Sequence, residues 1–161
     1  MTIQASNIVF QLTPSGNSDP MLSLGGSAGG SQISAALHGL FDAVSPAEAL
    51  AGDVEYRALD VKNTNNIDTL YAAVIYVDTI TSGASDEIAL AYDATGTQTI
   101  ANENTAPIGL TFSAPTTAAT GIVLGDIAPL ATKRIWAKWT VTAGAGTVTT
   151  SGSITVAGGT A

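Results

Sequence analysis

Short runs in which apolar and polar side chains alternate recur along almost the whole chain, separated by clusters of Gly, Pro, Ser, Thr and Asn. Asn7–Leu12 is one such run, with Ile8, Phe10 and Leu12 in phase. Ile88, Leu90 and Tyr92 form another, and Ile108, Leu110 and Phe112 a third. Ile122 and Leu124 mark a shorter run before Gly125-Asp126. Side chains alternate between faces only in an extended strand, so a period of two predicts half-buried strands. Leu70–Asp78 is apolar in both phases, which predicts a strand covered on both faces by its own chain or by a neighbouring subunit. The count comes to about eight to ten short strands at spacings that suit an antiparallel β-sandwich, jelly-roll or immunoglobulin-like.

Two strand readings are more specific. In Asp53–Asn63 the apolar phase changes between Tyr56 and Leu59, which predicts a β-bulge near Ala58. In Thr132–Thr142, Ile135, Ala137, Trp139 and Val141 share one face. Thr132, Arg134, Trp136, Lys138 and Thr140 share the other, which reads as outward, cationic and centred on a tryptophan. This strand is expected to form a hairpin with 147–156 through the turn Gly144-Ala145-Gly146, leaving Gly158–Ala161 frayed.

One helix is expected. Ser45-Pro46-Ala47-Glu48 is a capping box with Pro at the first helical position, and Gly52 supplies the left-handed stop. Ahead of it, Pro14–Pro20 and Gly25–Ser31 read as turn and linker sequence. The chain therefore divides into residues 1–44, an N-terminal strand with a flexible arm and Gly-rich linker, and residues 45–161, the sandwich domain. A long surface loop within one domain is the alternative for the first part.

The 161 residues suffice for one domain with a sizeable core, and only 11% of them are charged. Net charge is −8, with five basic residues, Arg57, Lys62, Lys133, Arg134 and Lys138. Nucleic-acid binding needs a cationic face that displaces counterions, so that class is excluded as an expectation. There is no cysteine, hence no disulfide and no thiolate metal site. No basic segment followed by an apolar run opens the sequence, and no apolar stretch is long enough for a membrane span. A protein made in the cytoplasm and not inserted in a membrane is expected.

The chemistry that sequences of this length usually advertise is not found. His38 is the single histidine and lies among small and apolar residues; no G-x-S-x-G elbow accompanies Ser31, Ser34 or Ser45. One His without Cys argues against zinc. Asp93-Ala94-Thr95-Gly96 with Asn102, Glu103 and Asn104 could hold a loop calcium, but turn chemistry accounts for the same residues. Catalytic residues, cofactors and metals are therefore predicted to be none. Arg134, Trp136 and Lys138 are the candidate partner-binding residues, because Trp and Arg concentrate at interface hot spots. The alternative is that a loop or the N-terminal segment of the same chain covers Trp136.

The segment Ser45–Ala145 resembles a family of virion proteins of tailed bacteriophages. The likeness rests on Ala51–Asn63, Ile100–Pro107, Thr111–Pro115, Leu124–Ile127, Lys133–Trp136 and Thr142–Ala145. The resemblance implies a small β-rich structural protein without catalytic residues, most like capsid decoration (cement) proteins that bind the major capsid protein. It also implies a homo-oligomer on the exterior of the virion. A neck, tail or fibre adaptor and a host-surface binding module are the other expectations; a hydrolase ranks last.

Overall fold

The computed structural model describes residues 2–36, 38–81, 86–144 and 151–160. The protein is an all-β sandwich of two antiparallel sheets with one short helix. The strands are β1 (Ile8–Gln11), β2 (Asp53–Asn63), β3 (Leu70–Thr81), β4 (Glu87–Asp93), β5 (Ile122–Ile127), β6 (Thr132–Val141) and β7 (Ser151–Gly159). One sheet has the order β1-β2-β6-β4 and the other β5-β3-β7. Leu59, Val61, Ile75, Val77, Leu90, Leu124, Ile127 and Ile135 fill the space between them. The helix α1 (Pro46–Ala51) begins as expected: Ser45 Oγ accepts from Glu48 N at 3.3 Å, and Ser45 N donates to Glu48 Oε2 at 2.6 Å. Gly52, at φ 81°, ends it.

The expected bulge at Ala58 does not exist. β2 runs in unbroken register with β6 from Asp53↔Val141 to Lys62↔Thr132. The apolar phase changes because both faces are covered. Leu59 and Val61 face the other sheet, whereas Ala58 packs with Tyr56 nearby beneath loops of the same chain. The irregularity lies instead in β3, where the pairing with β5 shifts between Leu70 and Ala73 and again before Val74. Ala72 there has φ 49°, and its N–H donates to Asp126 Oδ1 at 2.9 Å.

The expected hairpin of 132–142 with 147–156 is also corrected. β6 pairs with β2 and β4, while β7 pairs with β3 in the opposite sheet, so the chain crosses between sheets here. Ala145, Gly146 and Val148 of the proposed turn lie outside the described residues. Gly158 and Gly159 are not frayed: β7 extends to Gly159, opposite Tyr71, and a Cβ on Gly158 would sit 2.8 Å from Leu70 Cγ. The expected strand at 108–112 is a loop whose single ladder contact is the bridge Leu90↔Ser113.

Residues 1–44 are not an arm separate from 45–161. β1 joins the sheet through Ile8↔Asn63 to Gln11↔Asp60. Beyond it the chain stitches itself to β2 by a buried hydroxyl pair. Ser23 Oγ donates to Ala58 O (2.6 Å) and accepts from Thr13 N (2.8 Å), and Thr13 Oγ1 accepts from Gly25 N (3.0 Å). The glycines read as linker serve close approach instead. A Cβ on Gly25, at φ 97°, would lie 2.0 Å from Gln98 O, and one on Gly30 would lie 2.3 Å from Leu12 O.

Candidate functional site

The three residues selected as a partner-binding cluster do share one side of β6, but that side is interior. Trp136 is 0% exposed. Its in-register neighbours are Ala58 on β2 and Ala91 on β4, and these two small residues leave a slot for the indole. Ile100, Leu24, Leu110 and Phe112 close the slot from above, and Nε1 donates to Asp93 Oδ2 at 3.4 Å. Arg134 is equally enclosed. Its Nε donates to Asp60 Oδ1 at 2.7 Å, and Nη2 donates to Gly26 O at 2.8 Å. Only Lys138 is half-exposed. The outward anchor is therefore corrected. The even-numbered face of β6 is a second, smaller core, built because the segments around Leu24 and Ile100–Phe112 fold over the sheet. The flanking alanines, Ala58 and Ala91, were the sequence signal for that slot.

Asp93 also explains the candidate calcium loop. Oδ1 accepts from Thr95 N (2.9 Å), Thr95 Oγ1 (2.6 Å) and Gly96 N (3.1 Å). Burial raises its pKa, but these bonds and that from Trp136 outweigh it and hold the carboxyl below the usual range. Asn104 turns away to Asp53 Oδ1 (3.0 Å). Among the described residues no group of three or more His, Cys, Asp and Glu side chains could hold a metal ion.

At the other end of β2, Arg57 is fully buried and lies between Glu55, at 3.2 Å, and Glu103, to which it donates a hydrogen bond. Burial pushes the Glu55 carboxyl up to about 8, against the opposing pull of Arg57 and with help from Asp42, Glu103 and Asp53. Thus both arginines of the chain are committed to internal carboxylates, and Lys133 lies against Tyr92 (5.8 Å from Nζ to the ring centre).

Among the described residues, two surfaces bear on a binding role. The first is a cleft of about 720 Å³ between the sheets, lined by Phe10, Ile33, Phe41, Ile88, Trp139 and Ile154 among others. Ser34, His38 and Asp42 border it. Ser34 Oγ is engaged in a local turn, accepting from Ala36 N at 3.1 Å. His38 is exposed and has φ 61°.

The second is the outer face of the three-stranded sheet. Val74 on β3 stands between Val123 on β5 and Ala157 on β7, and Tyr76 stands beside Thr155. Tyr71 is 44% and Val123 is 68% exposed, and Val74 and Tyr76 are half-buried. The second apolar phase of β3, which the sequence predicts to be covered by the chain itself or by a neighbouring subunit, is this face. The segment 118–121 approaches this face at Val74, where a Cβ on Gly121 would lie 3.1 Å from Val74 Cβ, and Tyr71 and Val123 stay exposed.

Comparison with protein-family models, with curated proteins and with solved structures finds no match to the chain.

Proposed function

We propose that this protein is a non-enzymatic structural protein of a tailed-phage virion, a decoration protein that binds the major capsid protein on the outside of the shell. The observation that carries the binding role is the asymmetry of the two outer sheet faces. One is sealed by the chain's own loops, while the other keeps Tyr71, Val74, Tyr76 and Val123 at the surface. Large contiguous apolar surface on a folded domain marks interaction sites. In the opposite sheet Asp60, Asp93, Arg57 and Arg134 are buried and paired, committed to the scaffold. This arrangement favours a rigid contact surface over a reacting centre. The virion assignment rests on the resemblance of Ser45–Ala145 to tailed-phage structural proteins.

The chain's acidity suits this role. With Arg57 and Arg134 internally neutralised, Lys62, Lys133 and Lys138 are the remaining cations, too few to track a phosphate backbone. Weak contacts repeated over a symmetric shell would reach high occupancy by multivalency. The test is the copy number per purified particle, measured by quantitative mass spectrometry against the major shell protein. A number comparable to the shell protein is expected. A much lower number would move the protein to the neck, tail or fibre, and complete absence from particles would overturn the virion reading.

A further inference from the structure

Among the described residues, Gly152–Gly159 of β7 is a long strand edge without a neighbouring strand on its far side. In the four-stranded sheet the edges are bordered by the chain itself. β1 is bordered by Leu12 N→Ser31 O and Ile33 N→Phe10 O, both 2.8 Å. The part of β2 beyond β1 is bordered by Ala58 N→Ser23 O and Tyr56 N→Glu103 O, both 2.7 Å. β4 is bordered by the reciprocal bonds between Leu90 and Ser113. Among the described residues the backbone partners of Gly152–Gly159 lie on β3. It also lacks two of the devices by which soluble proteins blunt an edge: Ser151–Gly159 contains no charged residue and no proline.

The space beside this edge is incomplete. The three strands β5-β3-β7 face four in the other sheet. Ile75 and Val77 on β3 are fully buried, whereas Ile154 and Val156 on β7 pack against the same core and stay half-exposed. The apolar cleft of about 720 Å³ opens along Ser151–Ile154. A further strand next to β7 would cover Ile154 and Val156 and narrow that cleft.

We propose that the missing strand is β7 of a second copy, paired antiparallel about a two-fold axis through Thr155. The sequence is self-complementary in that register. Ile154 of one copy meets Val156 of the other on the core side, and Ser153 meets Ala157 on the outer side. Gly152 meets Gly158 at the ends, as an isologous interface requires. Charge selects the same edge, because a chain of net charge −8 approaches its own copy at least cost where neither surface carries a charge. The product is one continuous sheet, β5-β3-β7-β7-β3-β5, with the two Tyr76–Thr155 rows side by side. This inference does not depend on the virion assignment and holds wherever the protein acts.

The experiment is sedimentation equilibrium of the full chain, with hydrogen exchange across a dilution series. The wild type is expected to weigh two chains, with amides 152–158 protected at high concentration and released on dilution. Thr155→Lys and Thr155→Glu each place like charges across the axis and are expected to be folded monomers whose melting transition, unlike that of the wild type, does not depend on protein concentration. Mixing the two should restore the dimer mass. A wild type that is monomeric at every concentration overturns the proposal. So does a dimer whose 152–158 protection ignores dilution, and that readout needs no variant to fold.

Discussion

Trp136 shows how a single residue's role turns on its neighbours. An indole between Arg134 and Lys138 on an alternating strand looks like a surface anchor, yet Ala58 and Ala91 on the flanking strands make room for it inside. Trp136→Ala is therefore expected to destabilise the fold by about 3–5 kcal/mol, the cost of emptying a large core site. Chemical denaturation measures it; a loss below about 1 kcal/mol would return Trp136 to the surface. Asp60→Ala leaves the Arg134 guanidinium buried without its carboxylate, and about 3–5 kcal/mol is expected to be lost. Glu55 supplies a pH signature. Its carboxyl titrates near 8 in the fold against 4.5 when unfolded, so the native state holds its proton more tightly. Stability from this group is complete below about pH 4.5 and falls as pH rises toward 8, by up to about 1.4 kcal/mol per pH unit. Denaturation at several pH values should show that slope in the wild type and its loss in Glu55→Gln; equal slopes would contradict the burial of this carboxyl.

At the scale of elements, what could be read from sequence is what depends on neighbours along the chain. The capping box Ser45–Glu48 and the stop at Gly52 are local hydrogen bonds between residues a few positions apart, and the helix forms where they predict. The alternation in β1, β4 and β5, the inward phase of β6 and the central place of β3 were equally visible. Pairing was not. Thr132–Val141 and Ser151–Gly159 are adjacent in sequence and compatible as a hairpin, but each finds its partners in a different sheet. Nor could alternation separate Ile108–Phe112 from a strand: Leu110 and Phe112 are in phase because both pack near Trp136, while Ile108 is 87% exposed. The glycines before Ser31 were legible as special but not for which reason, since Gln98 O and Leu12 O are brought to them by the tertiary fold. Gly25→Ala is expected to cost about 1–3 kcal/mol through its positive φ and this contact. A melting curve unchanged from wild type would show that the crossing of residues 25 and 98 is looser than described.

For the whole molecule, the two-sheet architecture and its one helix followed from patterning, whereas the interaction surface did not. Sequence separates a strand's two faces but cannot say which outer face the chain's own loops will cover. Here the loops close over Trp136, whereas on the outer face of β5-β3-β7 Tyr71 and Val123 stay exposed. The candidate site therefore moved from Arg134, Trp136 and Lys138 to Tyr71, Val74, Tyr76 and Val123. Val123 is the most exposed of these, so a carboxylate there alters the surface and spares the core. The most direct measurement is co-sedimentation of purified wild-type protein and of Val123→Asp with particles stripped of the endogenous protein. The account predicts saturable binding of the wild type and at least a tenfold weaker association of the variant, about 1.4 kcal/mol, with the fold unchanged. Equal binding of the two proteins would contradict the claim that this face meets the shell.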